Sequence, residues 1–426
     1  MKRSPGWMLI LAAALIAGAG GAEELRPNVI LISVDTLRAD HLSCYGYSRA
    51  TTPNLDQLAE KGVKFLDVTS AIPLTNPALS ALLTSLPPSQ TGATRNGLSL
   101  RPEHQTLAEL LRDQGYITAA VVSSWPLHGS RSGLARGFDY YYDRLARKYY
   151  LGMKVERDAR WVTRQAEARL VAGLPEPFFL WVHYADPHRP HLTQSDYRFH
   201  HPPGENSKQA RVEDRYDSEI VHTDRWIGVL LDDLQRRSLH ERSLIIVLSD
   251  HGESLGDQHF FGHGRRLYQS ILQIPLIIAG PELPAGKEVS APVHMLDIAP
   301  TILDYLRLPP LPNMTGQSLL AAVSADQHPE PKPMFYETYG MAVPGLPGLK
   351  KRWSQAGPVV IAMRLGPLKI IYSFRHRQWE LYNLEEDPKE EHDLFDPDDP
   401  EIRVLADQLM QWYQARYSSS QSPPGL

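Results

Sequence analysis

Short runs of apolar residues punctuate the chain at residues 29–34, 118–122, 178–182, 244–248 and 275–279. They are near-continuous rather than alternating, which is the pattern of strands covered on both faces. Segments with helical periodicity lie between them, at residues 54–61, 106–114, 155–171, 216–236 and 297–306. Strand and helix therefore alternate, which predicts an α/β fold with a doubly wound, mostly parallel sheet. In such sheets ligands bind beyond the carboxyl ends of the strands. The residues with chemical potential follow the apolar runs directly. Asp35 follows the first, His183 to His188 the third, and Asp250 with His251 the fourth.

Proline and glycine thicken from residue 309 to 348 and read as a connection. Beyond it, residues 359–363, 368–373 and 378–382 read as short antiparallel strands, residues 401–417 as a closing helix, and 418–426 as a polar tail. This divides the chain into an N-terminal segment at 1–22, a catalytic domain at 23–325 and a small α+β subdomain at 326–426. Hydrophobic residues make up 42% and charged residues 22%, so a packed core is feasible. A net charge of −5, with no long Lys/Arg run, gives no sign of a nucleic-acid partner.

Lys2 and Arg3 precede an apolar stretch at residues 7–17, and Gly20, Gly21 and Ala22 are small. That is the form of an export signal cleaved before Glu23; the alternative is an uncleaved membrane anchor. Cys44 is the single cysteine, so no intramolecular disulfide can form. Export without disulfides points to a bacterial periplasm or cell surface.

Four segments carry candidate chemistry. In Asn28-Val-Ile-Leu-Ile-Ser-Val-Asp35, the carboxylate ends a buried strand and is a suitable hard-metal ligand; alone, it could equally be a solvated loop aspartate. In Ser249-Asp250-His251-Gly252-Glu253, an oxygen and an imidazole adjoin, with Gly252 expected to allow a tight turn; the plain alternative is a helix cap beside a surface histidine. His183 and His188, in His183-Tyr-Ala-Asp186-Pro187-His188-Arg189-Pro190, could donate protons or bind an anion. Thr75 stands just before a helix expected from Pro77, where free N–H groups would face an anionic ester; by itself it reads as well as a helix cap.

Together these segments resemble the sulfatase family of the alkaline phosphatase superfamily. The supporting stretches include Thr52-Pro-Asn-Leu-Asp56, Ala81-Leu-Leu-Thr84, Asp186-Pro-His188, Ser249-Asp-His-Gly-Glu253, Gly262-His263-Gly264 and Asp297-Ile-Ala-Pro-Thr301, with Glu380-Leu-Tyr-Asn-Leu384 in the closing subdomain. The resemblance implies a hydrolase built around one divalent metal ion (Ca, Mn or Zn). It places Asp35, Asp250 and His251 at ligand positions. Thr75 falls at the nucleophile position, also touching the metal. His188 and His263 match positions that hold the substrate anion or protonate the leaving group. Asn96, His183 and Arg265 are carried as substrate contacts.

The departures are chemical. The family's C-x-P-x-R or S-x-P-x-R motif reads Thr75-Asn-Pro77-Ala-Leu79 here, so the nucleophile cannot become formylglycine and the motif arginine is absent. Thr36 replaces a second metal-ligand aspartate, and Gly264 replaces the lysine of G-H-K-G, with Arg265 following. A threonyl ester has no second hydroxyl to expel the group, so water or another acceptor must open it. The resulting expectation is a phosphate- or sulfate-ester hydrolase, with phosphoester favoured. The alternatives are a phosphoryl transferase on an envelope lipid or glycan, and a non-catalytic binding protein. The partner expected is a small-molecule, glycan or lipid ester.

Overall fold

The computed structural model describes residues 26–145, 148–150, 153–191, 199, 207–324, 332–340 and 356–417. The expected export signal and the polar tail lie outside the described residues.

Strand β1 (Asn28–Val34) is buried along its whole length in the middle of an eight-stranded sheet. The other strands are β2 (Val63–Phe65), β3 (Ile117–Val122), β4 (Tyr140–Tyr142), β5 (Phe178–Tyr184), β6 (Ser243–Ser249), β7 (Leu276–Ala279) and β8 (Lys287–Val289). Their spatial order is β8-β2-β7-β6-β1-β5-β3-β4. β6, β1, β5, β3 and β4 are mutually parallel. β7 runs antiparallel to both β6 and β2.

Alternate residues of β1 enter different cores, because successive side chains of a strand point to opposite faces. Val29 and Leu31 pack with Leu79 and Leu82 of helix α2 (Thr75–Thr84), Leu107 and Leu111 of α3 (Leu107–Asp113) and Ile302 of α6 (Ile298–Tyr305). Ile30, Ile32 and Val34 pack with Leu55 of α1 (Pro53–Glu60), Val162 of α4 (Ala159–Val171) and Ile220 of α5 (Lys208–Arg236). Both faces are covered, as the near-continuous apolar runs require. Each such side chain contributes roughly 1.5–3 kcal/mol by leaving water.

Strands β9 (Met334–Thr338), β10 (Val360–Leu365), β11 (Leu368–Ser373) and β12 (Gln378–Asn383) form an antiparallel sheet. One face buries Ile361, Met363, Ile370 and Leu381 under Leu409 and Trp412 of helix α7 (Pro400–Tyr417). The other buries Tyr336, Ala362 and Ile371 against Leu267 and Leu272, just beyond the Gly262-His263-Gly264 segment. Arg364 adds a two-pronged pair to Asp67, at 2.7 and 2.5 Å.

Several boundaries differ from the sequence reading. The helix expected from 155 begins at Ala159; Met153–Glu156 is extended and pairs with Lys148–Tyr150. Asp158 accepts the Trp161 N–H and Asp186 the Ala159 N–H, so side-chain capping sets the later start. Helix α5 begins eight residues earlier than expected, where Ser207 accepts the Ala210 N–H. Residues 192–198 and 200–206, which precede it, lie outside the described residues. Strand β9 arises inside the Pro/Gly-rich connection.

Candidate functional site

Strand register assembles the site. Val34 pairs with Ser249 of β6, and Ser33 with His183 of β5. Asp35 therefore leaves the sheet beside Asp250. Asp35, Asp250 and His251 each offer a ligand atom within 4.8 Å of one another, and all three are buried. His251 Nε2 lies 3.8 Å from Asp35 Oδ1 and 3.6 Å from Asp250 Oδ2.

The hydrogen bonds around these groups leave one set of atoms turned inward. Asp250 Oδ1 accepts from the backbone N–H of Thr36 (3.1 Å) and of His251 (2.8 Å). Asp250 Oδ2, both Asp35 oxygens and His251 Nε2 are buried without a protein hydrogen-bond partner. The His251 Nδ1–H donates to the Gly252 carbonyl (3.0 Å), which places the Nε2 lone pair toward the two carboxylates. Unpaired buried carboxylate oxygens are costly. Three oxygens and one imidazole nitrogen facing a common point fit a divalent cation.

Charge confirms the strain. Burial pushes the Asp35 carboxyl up, but His188, His183 and His251 outweigh it and hold it well below the usual carboxylate range. Burial, then the Asp35 charge, push Asp250 up. A divalent cation between them would relieve that repulsion.

Gly252 serves differently from the sequence expectation. Its φ is not in the left-handed region; instead a Cβ there would come within 2.4 Å of the Ser270 carbonyl oxygen. Closeness, not turning, demands glycine. Thr36, by contrast, does adopt φ 58°, which is unfavourable for a β-branched residue. Its N–H on Asp250 and its carbonyl under the Tyr216 hydroxyl (2.7 Å) hold it there.

Thr75 opens α2 rather than preceding it: the Ala78 N–H bonds the Leu74 carbonyl at 2.9 Å, closing the first turn. Pro77 is third in the helix, where its missing N–H costs no intrahelical bond. The Asn76 N–H donates to Asn96 Oδ1 (2.9 Å), so two of the first three positions offer no amide to a ligand. That narrows the anion-binding role expected of this helix end. Thr75 is buried, and its segment is tied to the cluster by the Ser70 hydroxyl, which donates to the Asp250 carbonyl at 2.5 Å. Leu74 lies against Gly264.

His188 and His263 lie together, with ring centroids 5.2 Å apart, and the His263 ring is 4.6 Å from that of His251. His263 Nδ1 meets Glu253 Oε2 at 3.0 Å, and His188 Nδ1 meets Glu156 Oε1 at 2.7 Å. Burial lowers the His188 imidazole, but Asp35, Glu156 and Glu253 raise it to about 10 overall. Burial keeps His263 below the ordinary range despite Glu253. The Ser33 hydroxyl accepts from the Trp181 indole N–H (2.9 Å) and meets His183 Nδ1 at 2.8 Å. His183 Nε2 is buried without a hydrogen-bond partner, 3.8 Å from Asp35 Oδ2. Asn96 is committed through Oδ1 to Asn76. Arg265 is exposed.

Glu156 was missed in the sequence because it fell inside a predicted helix. Glu253 stood within a quoted motif without a role. A carboxylate two residues beyond an Asp-His pair was the available signal for Glu253; Glu156 had none.

Comparisons with known proteins give the family and the fold. A family model described as Sulfatase matches residues 27–308, and one described as N-sulphoglucosamine sulphohydrolase, C-terminal, matches 256–416. An "Ulvan-active sulfatase" of Formosa agariphila is 27% identical over 73% of this chain and 67% of its own length. An "N-acetylglucosamine-6-O-sulfatase" of Bacteroides thetaiotaomicron is 22% identical over 93% of this chain and 88% of its own. A structure in complex with D-glucosamine-2-N,6-O-disulfate superposes with TM-score 0.74 at 22% identity, covering 92% of this chain and 98% of that one. A phosphonate monoester hydrolase of Agrobacterium radiobacter superposes with TM-score 0.73 at 21% identity, covering 92% and 96%.

Proposed function

Because the chain belongs to the sulfatase family and is an ester hydrolase of that kind, we propose that it cleaves a phosphate ester through a covalent intermediate on Thr75. The observation that carries this reading is a threonine, unable to become formylglycine, opening a helix whose approach segment is bonded to the buried Asp35–Asp250–His251 cluster. Asp35, Asp250 and His251, with Thr75, would hold one divalent ion. When bound, that ion supplies Lewis-acid stabilisation of charge on the transferring oxygens.

The chain's own groups then account for the protons. Thr75 Oγ1 attacks phosphorus and its proton passes to His263 Nε2. The bond to the leaving oxygen breaks, and that oxygen takes a proton from His188 Nε2. Water next attacks phosphorus and gives a proton to His188 Nε2. Thr75 Oγ1 leaves, taking its proton back from His263. The two imidazoles face different carboxylates, Glu253 at His263 and Glu156 at His188, which supports giving them separate roles. His183 Nε2 and Asn96 are proposed to orient the group from either side, and Arg265 to meet a more distant part of the substrate.

A second reading, a sulfate ester on a glycan, draws support from what the relatives are named for. The experiment is an assay of aryl phosphate monoester, aryl phosphate diester and aryl sulfate, with Mn²⁺, Ca²⁺ or Zn²⁺, alongside intact-mass analysis of quenched enzyme. Phosphoester turnover with a phosphoryl adduct on Thr75 is expected. Turnover of aryl sulfate alone would overturn the phosphoester preference, and turnover without any adduct on Thr75 would overturn the covalent scheme. We also propose export, with mature protein beginning at Glu23 by N-terminal sequencing.

A further inference from the structure

Two carboxylates stand behind the two histidines of the site. Glu156 and Glu253 are both buried, as is the backbone that carries them. Glu156 is fixed by an antiparallel bridge to Ser124, and the next residue, Arg157, bonds the Ser123 carbonyl through its N–H (2.9 Å). The Ser123 hydroxyl in turn donates to the His183 carbonyl at 2.8 Å. The short hairpin ending at Glu156 is thus bolted to the ends of β3 and β5. Glu253 is fixed through its carbonyl, which accepts from Arg38 Nη1 (3.1 Å), while Asp40 and Asp257 hold the same guanidinium.

Glu253 Oε2 is hydrogen-bonded to His263 Nδ1 at 3.0 Å, and Glu156 Oε1 stands 2.7 Å from His188 Nδ1 as an ion pair without hydrogen-bond geometry. Nδ1 and Nε2 lie on opposite sides of an imidazole. A carboxylate at Nδ1 therefore fixes the ring and makes Nε2 the atom that exchanges a proton. The His263 ring lies 4.6 Å from that of His251 and 5.2 Å from that of His188, so both rings stand beside the ligand cluster.

We propose that Glu156 and Glu253 are positioning residues, which hold His188 and His263 by Nδ1 so that both present Nε2 to one ester group above Asp35 and Asp250. The inference rests on the hydrolase reading above. It also gives the lost cations a physical replacement. Leu79 and Gly264 remove an arginine and a lysine, and two carboxylate-backed imidazoles put two oriented groups in the same region. Glu253 also draws Arg189, whose Nε is 3.5 Å from Glu253 Oε1 and whose guanidinium rests against the bare Cα of Gly262. A stability role explains the arrangement poorly, because a buried ion pair is commonly no better than apolar residues of the same volume.

The test uses full-length protein carrying Glu156→Gln, Glu253→Gln, His188→Gln, His263→Gln and the two matched double variants. On whichever aryl ester the wild type cleaves, each Glu→Gln change is expected to lower kcat by about 10- to 100-fold with KM changed less than about 3-fold. Each double variant should be no slower than its histidine single variant within about 2-fold, because the glutamate acts through that histidine. Glu156→Asp and Glu253→Asp should recover part of the rate. Multiplicative losses in the doubles, or wild-type kcat in the Glu→Gln variants, would overturn the proposal. Independently of turnover, ¹⁵N imidazole shifts of His188 and His263 should report Nδ1–H in the wild type and change in the matching Glu→Gln variant. Unchanged shifts would also overturn it, even in variants too unstable to assay. A wild type without turnover but with Nδ1–H at both rings would sink the hydrolase reading and leave the positioning geometry standing.

Discussion

The Nδ1–H of His251 donates to the carbonyl of Gly252 at 3.0 Å, and this one bond decides which face of the imidazole meets Asp35 and Asp250. The lone pair on Nε2 is thereby held where a cation would sit. Chelator-treated protein should therefore melt earlier than protein given excess Mn²⁺, Ca²⁺ or Zn²⁺. At 100 times the dissociation constant the gain is about 2.7 kcal/mol. Asp250→Asn should weaken binding by at least about 10-fold in calorimetric titration; identical affinity would count against the ligand set.

Thr75→Ala should abolish turnover and weaken metal affinity, because its hydroxyl is one of the four groups proposed to hold the ion, while the melting temperature of chelator-treated protein stays near wild type, since only a hydroxyl and a methyl are lost at the head of α2. Thr75→Ser should retain measurable rate, because a primary hydroxyl can still attack. Activity in the alanine variant would remove Thr75 from the mechanism.

Asn96 and Asn76 offer a way to separate capping from catalysis. Asn96→Ala leaves the Asn76 N–H without its acceptor and should cost about 1 kcal/mol in urea unfolding. Asn96→Asp keeps the oxygen and should restore stability. If Asn96 also touches substrate through Nδ2, Asn96→Asp will remain slow despite its restored stability; full activity would assign Asn96 to capping alone.

Gly252→Ala should be severe. The new Cβ meets a backbone oxygen at 2.4 Å, and backbone cannot swing aside as a long side chain can. Loss of metal binding together with a lower melting temperature is expected, because the strain falls directly on His251. A variant that binds metal normally would show that this approach is not needed.

His294 makes a pH prediction remote from the metal ligands. It is buried, stacks on Tyr336 with centroids 5.6 Å apart, and accepts the Leu296 N–H on Nδ1. Burial pushes it from 6.5 down to about 4. Between those values the unfolded chain binds a proton that the native state refuses, so stability rises with pH across the window and is lost on acidification. Urea unfolding at pH 7 and pH 4.5 should show the wild type losing about 2 kcal/mol more than His294→Gln. Parallel losses would mean that His294 is not held neutral.

What the sequence by itself determined was whatever depends on local pattern. Near-continuous apolar runs such as Val29–Val34 specified strands covered on both faces, and their following residues, Asp35 and Asp250, were readable as candidate ligands because strand ends are where such sheets bind. Thr75 and Leu79 were equally plain in the chain, and they exclude formylglycine without any structure. The tertiary structure decided what depends on register and on distant partners. Ser33 opposite His183 and Val34 opposite Ser249 bring three strand ends to one point, across separations of 150 and 215 residues. Asp158 and Asp186 stop helix α4 short, which frees Glu156 to stand behind His188. No local propensity encodes that pairing; it follows from a hairpin docked on Ser123 and Ser124, and only the folded sheet brings those residues near.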